Sequence, residues 1–317
     1  MTAAEPSWEA SVAHAQAQLA GLMEGPGSPF LQSSPPGYKR GIDFYRARDL
    51  LFATANAVHG YARTQGHLPD LLQPQGFNAR VQRRKLVDFL KCPEAGNKLL
   101  TRHFLQSSPG DVRCAKVYWH SPLPVLPPNG EVPPGVYHLK ASHGSGMNAR
   151  IAYPLDAQAR DQLEQTCGEW LRNPYGLAWG EWWYNAFRPE ILLEEDLGPD
   201  RLSFNFYCFR GKVALFVVHD KATSETITFM PDFRLVEHRK PQRDPDRLAS
   251  RDNIVRMAAN ASAISRDQDF VRVDMFLTDA GEIILAEMTL TPGAGESQRV
   301  NGLDRYLGQA WERVLHA

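Results

Sequence analysis

Near the C-terminus, two strand-like segments, residues 270–277 and 283–288, are separated by a turn at Asp279-Ala280-Gly281, and each sets polar groups at alternate positions among apolar ones. Side chains of an extended strand alternate between its faces, so Arg272 and Asp274 point together, as do Glu287 and Thr289. Paired as an antiparallel hairpin, the segments bring two carboxylates, a guanidinium and a hydroxyl together. A second hairpin is predicted for Leu202–Phe209 and residues 213–219, joined through Arg210-Gly211, with a further strand over 226–230.

The remaining pattern is mixed. Trp8–Met23 sets Val12, Leu19, Leu22 and Met23 at a spacing that suits one face of a helix, and a proline-, glycine- and serine-rich loop follows over 24–37. Residues 42–62 contain strong helix formers without proline and are predicted as one helix. Helical segments between 77 and 104 lead to a proline-rich passage that ends at Gly135. Strands are expected over 136–140 and 191–193, and helices over 156–171 and 253–264, which together define an α+β protein.

At 317 residues the chain has room for about two folding units. Its 43% hydrophobic content is enough for a packed core, and its net charge of -1, with no dense basic stripe, argues against nucleic-acid binding. The N-terminus lacks a basic region followed by an apolar one, and no apolar run approaches the ~20 residues of a membrane span, so a cytoplasmic protein is expected. Cys92, Cys114, Cys167 and Cys208 show no paired or zinc-ligand spacing and read as reduced thiols.

Four clusters carry candidate chemistry. The hairpin carboxylates Asp274 and Glu287, with Thr289, offer hard oxygen ligands suited to Mg²⁺, and Arg272 could neutralise a transferring phosphoryl group; a salt-bridged structural hairpin is the alternative. Lys140 enters a glycine-containing turn, Ser142-His143-Gly144-Ser145-Gly146, whose backbone N–H groups could approach phosphate, although many such turns are only turns. The apolar run Ile191-Leu192-Leu193 passes into Glu194, Glu195 and Asp196, a segment able to face an adenine ring or simply to end in solvent. Lys221, after His219-Asp220, could reach a terminal phosphate or stand exposed at a strand end.

The order of these clusters resembles the ATP-grasp superfamily, and within it the TupA-like branch associated with teichuronopeptide and cell-surface polysaccharide biosynthesis. The similarity runs from about residue 77 to 308 and includes GFNARVQRRKL, NKLLTRHF, LKASHGSG, ILLEEDL, FVRVDMF and AEMTLTPGAG. The resemblance implies an ATP-grasp fold holding ATP between two α+β lobes. The expected divisions are an N-terminal helical extension over 1–75, an ATP-grasp N-terminal segment over 76–135, a central ATP-binding lobe over 136–209 and a C-terminal lobe over 210–317.

By motif position, Lys140 and Arg102 would contact the nucleotide phosphates, with Arg102 standing where a lysine is usual, a change that alters how phosphate is gripped. His143, Gly144, Ser145 and Gly146 would form the closing loop, Glu194, Glu195 and Leu197 the adenine hinge, and Lys221 a γ-phosphate contact. Asp274 and Glu287 would ligate Mg²⁺, with Thr289 in place of an asparagine, and Arg272 would be the transition-state cation. Ser203 occupies a position where an acid often holds the ribose, leaving Asp200 or Glu195 as substitutes.

The implied reaction is an ADP-forming ligation of a small-molecule carboxylate to an amine through an acyl phosphate, with ATP and Mg²⁺, on substrates that the polysaccharide branch would link to saccharides. A phosphotransferase acting on a hydroxyl, and a non-catalytic nucleotide-binding protein, stay open beside it. The charged stretch 234–251 reads as solvated, and Trp179, Trp182, Trp183 and Tyr184 read as core. Oligomeric state is not legible.

Overall fold

A computed structural model of the chain describes residues 6–108, 110–198, 202–220, 225–236, 249–278, 280–299 and 302–316. Lys221, Asp200, the turn residue Asp279 and most of the charged stretch (237–248) lie outside the described residues. No helix among the described residues is long and apolar enough to cross a membrane.

The helices are α1 (Trp8–Met23), α2 (Gly41–Phe44), α3 (Ala47–Gln65), α4 (Phe77–Leu86), α5 (Ala157–Arg172), α6 (Arg251–Ile264) and α7 (Leu303–Leu315). The strands are β1 (Tyr38–Lys39), β2 (Leu90–Lys91), β3 (Val112–Cys114), β4 (Val117–Ser121), β5 (Gly135–Ala141), β6 (Asn148–Tyr153), β7 (Ile191–Glu195), β8 (Leu202–Phe209), β9 (Lys212–Asp220), β10 (Glu225–Phe229), β11 (Val271–Leu277) and β12 (Ile283–Thr289).

At the N-terminus, Ser7 caps α1 by accepting from the Ala10 N–H, and Ala15, Leu19 and Leu22 pack with Leu50, Ala55 and Val58 of α3. The single helix expected over 42–62 is two, because Tyr45 and Arg46 are extended. At the break a distant contact is made: the Tyr45 hydroxyl donates to the Leu177 carbonyl at 2.7 Å. No local breaker residue marks the spot.

Two sheets organise the rest. The smaller has strand order β4-β7-β5-β6, all antiparallel, with α5 packed against β5 over a core that includes Leu139, Ile151, Cys167 and Leu193. The larger runs β10-β9-β8-β11-β12-β3, antiparallel except for the parallel pair β12–β3. Residues 76–135 supply β3 to the larger sheet and β4 to the smaller one, while their β2 pairs with β1. Strand β8, grouped above with the central lobe, is paired on both sides within the larger sheet.

Alternation sorts the larger sheet's side chains. Phe204, Phe206, Val271, Val273 and Met275 pack with Met257, Ala261 and Ile264 of α6. On the opposite face, Tyr207, Phe209 and Leu215 are covered by α4 and α7 through Phe77, Val81, Leu307 and Trp311. The polar residues of that face, beyond the reach of these helices, border the space between the sheets. One irregularity decides which residues those are. The register steps from Asp274↔Glu287 to Met275↔Leu285, so Ala286 is an extra residue, a β-bulge. Leu285 and Met288 both join the α6 core, and the bulge frees Glu287 to face the cleft with Asp274.

Helix α7 seats against the entry to α4 through Gly308, where an added Cβ would lie 2.8 Å from the Gln75 carbonyl oxygen and 3.0 Å from the Phe77 nitrogen. Backbone cannot yield as a side-chain tip can. Gly308→Ala should therefore lower stability by about 1–3 kcal/mol in urea denaturation, although alanine is the better helix former by about 1 kcal/mol. A variant as stable as the parent would show that α7 is not tightly seated there.

Candidate active site

The site is built on β11 and β12. Arg272 lies opposite Thr289 and Asp274 opposite both Glu287 and, on β8, Asn205, so the hairpin expected from alternation is present with its polar groups on one face. Arg272 forks onto Asp274, Nε to Oδ1 at 2.7 Å, and also donates to Thr289 Oγ1 at 3.1 Å. The Thr289 hydroxyl stands 3.2 Å from Asp274 Oδ2 and 3.3 Å from Glu287 Oε1. The cluster is a salt-bridged hairpin whose carboxylates border an open cavity.

Burial is the largest influence on the Asp274 carboxyl and pushes its pKa up, opposed by Arg272. Burial also works against the Arg272 charge, but Asp274 and Glu287 outweigh it and hold the guanidinium protonated. For Glu287 the upward push of burial is outweighed by Lys98, Arg272 and hydrogen bonds from its neighbours, so its carboxyl sits below the ordinary value.

The facing wall comes from the smaller sheet and the turns beside it. Lys140 of β5 forms an ion pair with Glu194 of β7, and Arg102 Nη2 stands 3.7 Å from Glu194 Oε2. Arg102 also donates to the carbonyls of Lys98 at 2.9 Å and Ala115 at 2.8 Å, which spends much of its fork on backbone. Glu195 is held bidentately by Arg113, at 2.7 and 3.1 Å, and accepts from the Lys116 N–H. The glycine turn places Gly144 and Gly146 at φ +76° and +78°, a region that penalises side chains.

These elements enclose a cavity of about 460 Å³ lined by Lys98, Arg102, Lys140, Ser145, Gly146, Glu194, Glu195, Leu197, Arg272, Asp274 and Glu287. A smaller cavity of about 290 Å³ adjoins it, sharing Lys98, Ser145, Arg272 and Glu287, and is bordered by Gly144 and Thr289. Of the expected nucleotide contacts, His143 lines neither. It is 1% exposed beneath the turn, its Nε2 lies 3.2 Å from the Asn173 carbonyl, and burial lowers its pKa. Its role is corrected to support of the turn.

Lys98 is the main residue that motif reading passes over. Asn97, whose side chain accepts from the Leu99 N–H, opens a tight turn, and the Lys98 ammonium reaches the Gly144 carbonyl. Burial, with Lys140 nearby, lowers its pKa against the attraction of Glu287 and Glu194. Asn205 and Ser203, bonded to each other at 2.8 Å, also border the larger cavity. The donor set fits Mg²⁺: Asp274 and Glu287 provide two hard carboxylates on one face, the usual protein share of a site completed by phosphate oxygens and water.

A mixed fold of two sheets, with a lysine and a glycine turn on one side of a cleft and a carboxylate pair on the other, defines an ATP-grasp protein. The family model described as TupA-like ATPgrasp matches residues 139–312, more than half of the chain. The chain belongs to the TupA-like ATP-grasp family.

No curated protein matches the sequence. Among solved structures it is similar to D-alanine-D-alanine ligase from Helicobacter pylori, with 14% identity, 70% of this chain and 60% of that chain covered and a TM-score of 0.45. It is also similar to L-amino acid ligase from Bacillus licheniformis, with 13% identity, 84% and 56% covered and a TM-score of 0.44. For D-alanine-D-alanine ligase from Bacillus anthracis the values are 13%, 70% and 66%, and 0.41. The matches span less than two thirds of those proteins' own lengths.

Proposed function

We propose that the chain is an ATP- and Mg²⁺-dependent ligase that joins a carboxylate to an amine through an acyl phosphate, in the assembly of a cell-surface polysaccharide or a specialised metabolite. The observation that carries this reading is the meeting of Lys98, Lys140, Asp274, Glu287 and Arg272, drawn from separate elements, around one cavity. The divisions proposed are a helical N-terminal extension, a small-sheet lobe with the glycine turn, and a large-sheet lobe with the metal ligands.

In this reading Lys98, Lys140 and Arg102 hold the phosphates, with Lys140 exchanging its present partner Glu194 for phosphate oxygen. Glu194, Glu195 and Leu197 flank the adenine, and Gly144, Ser145 and Gly146 cover the phosphates and exclude water that would hydrolyse the intermediate. Asp274 and Glu287 would hold Mg²⁺, assisted by Thr289, and the ion when bound would offset phosphate charge. Lys221 is kept as a γ-phosphate contact.

A carboxylate oxygen attacks the γ-phosphorus, the bond to the bridging oxygen breaks and ADP leaves, while Arg272 offsets the developing charge. The amine nitrogen then attacks the acyl carbon, loses a proton, and expels inorganic phosphate.

The test uses hydroxylamine, a small nucleophile that traps acyl phosphates as hydroxamates. With ATP, Mg²⁺ and a panel of carboxylates, ADP and a hydroxamate of matching mass are expected in equal amounts. A stable phosphorylated alcohol without hydroxamate would replace the ligase by a phosphotransferase, and nucleotide binding without ADP release would make the protein non-catalytic.

A further inference from the structure

Glu181 lies in a segment that sequence reading assigns to packing, and two of its neighbours, Trp182 and Trp183, are indeed buried, each 1% exposed. Glu181 itself is only 8% exposed, yet its carboxylate borders the smaller cavity. Its side chain accepts one hydrogen bond, from Thr291 Oγ1. Among the described residues, no lysine, arginine or histidine nitrogen comes within the 4.0 Å of an ion pair. The buried Lys85 attracts the Glu181 carboxylate from beyond that distance but makes no contact with it, since its ammonium donates to Gln82 Oε1 at 2.9 Å and to the Ala294 carbonyl at 2.7 Å.

A carboxylate that is buried without a counter-ion is costly unless a cation joins it. The backbone nevertheless fixes it there. Gly176, at φ +73°, accepts the Glu181 N–H at 2.9 Å, and an added Cβ on Gly176 would come 2.8 Å from that of Glu181. The same cavity is bordered by Tyr175 and Tyr184, whose rings meet edge to face at 5.2 Å. A carboxylate beside aromatic rings is the surrounding that recognises an ammonium group, by charge and by cation–π attraction.

The geometry points to the smaller cavity as the site of the amine substrate, with Glu181 as the counter-ion of its ammonium group. The inference rests on the ligase reading and adds the chemical class of the acceptor, a cationic amine. The cavity opens toward Glu287, Arg272 and Ser145, which also border the larger one, so an amine held there stands next to the phosphates. Glu181 acts by binding; the groups that offset phosphate charge are others.

The first test needs no turnover. Tryptophan emission, to which Trp182 and Trp183 contribute, is followed while the protein with ATP and Mg²⁺ is titrated with propylammonium, glucosamine and glycinamide. Propanol, glucose and acetamide serve as neutral counterparts. At least one cation should change the emission saturably where its counterpart does not, and Glu181→Gln should weaken that response about tenfold or more, with Glu181→Asp recovering part of it.

With an acceptor that turns over, the KM for amine should rise about tenfold or more in Glu181→Gln while the KM for ATP changes less than about twofold. A variant that answers every cation as wild type does, or a wild-type protein indifferent to all three, overturns the assignment. A wild-type protein that responds to amines but gives no hydroxamate would instead retain the amine site and reject the ligase.

Discussion

Glu287→Gln should cost ATP turnover on the order of 10²–10³-fold and leave the melting temperature close to that of the parent, whereas Asp274→Asn should lose both activity and stability. The two carboxylates face one another across β11 and β12 but are anchored differently. The Glu287 side chain is 45% exposed and stands 3.7 Å from Arg272, so removing its charge leaves little stranded. The Asp274 side chain is 6% exposed and takes the fork of Arg272, which is itself 17% exposed. Neutralising it leaves a largely buried guanidinium with only the more distant Glu287 as counter-ion, at a cost of about 3 kcal/mol.

Steady-state ADP release and calorimetric melting separate the outcomes. Excess Mg²⁺ should partly restore Glu287→Gln if the lost group is a metal ligand. Turnover within a few-fold of wild type in that variant would remove Glu287 from the proposed site.

Arg84→Ala should be among the most destabilising single substitutions outside the cleft, by about 3–5 kcal/mol in chemical denaturation. Arg84 is 1% exposed and joins three parts of the larger lobe. From α4 its Nη1 donates to the Phe270 carbonyl at 2.7 Å and its Nη2 to Asp269 Oδ1 at 3.0 Å, just ahead of β11. Its guanidinium lies 5.1 Å from the ring centre of Trp311 on α7, whose Nε1 donates to Asp269 Oδ2 at 2.8 Å. Truncation strands both a carbonyl and a carboxylate at once. Against a typical stability of about 5–15 kcal/mol the loss is large, and Arg84→Lys should recover only part of it because an ammonium cannot fork. A loss below about 1 kcal/mol would mean that apolar contact alone docks α4 and α7.

Much of the architecture is legible in the residues because alternation and helical spacing are local. The local periodicities of β8, β11 and α1 suffice to place them, and the β11–β12 hairpin brings its polar groups together as alternation requires. Helix α7 carries no motif and is not among the expected helices, although Leu303, Leu307, Ala310, Trp311 and Val314 repeat at a helical spacing.

What is not legible is set by distant contacts. The break before α3 coincides with a bond from Tyr45 to a carbonyl 132 residues away. Lys98 and Arg102 lie four residues apart and both border the larger cavity, but only the folded chain shows one aimed at the glycine turn and the other spending donors on backbone carbonyls. Glu181 is hidden by its neighbours. Two tryptophans make the segment look like core, and a carboxylate among them gains meaning only when a cavity opens beside it.

The bulge at Ala286 has a consequence for any attempt to edit or transplant this hairpin. Counting residues in pairs along β12 from Leu285, as a ladder without the bulge would require, puts Met288 on the cleft face and Glu287 in the core; deleting Ala286 instead makes Leu285 and Glu287 neighbours on opposite faces and keeps the acid in the cleft. The turn between the strands should accept added residues, and loss of Ala286 should leave Glu287, Met288 and Thr289 on their present faces. A graft that kept every residue of β12 but closed the ladder without the bulge would copy the lettering of the site and lose its grammar.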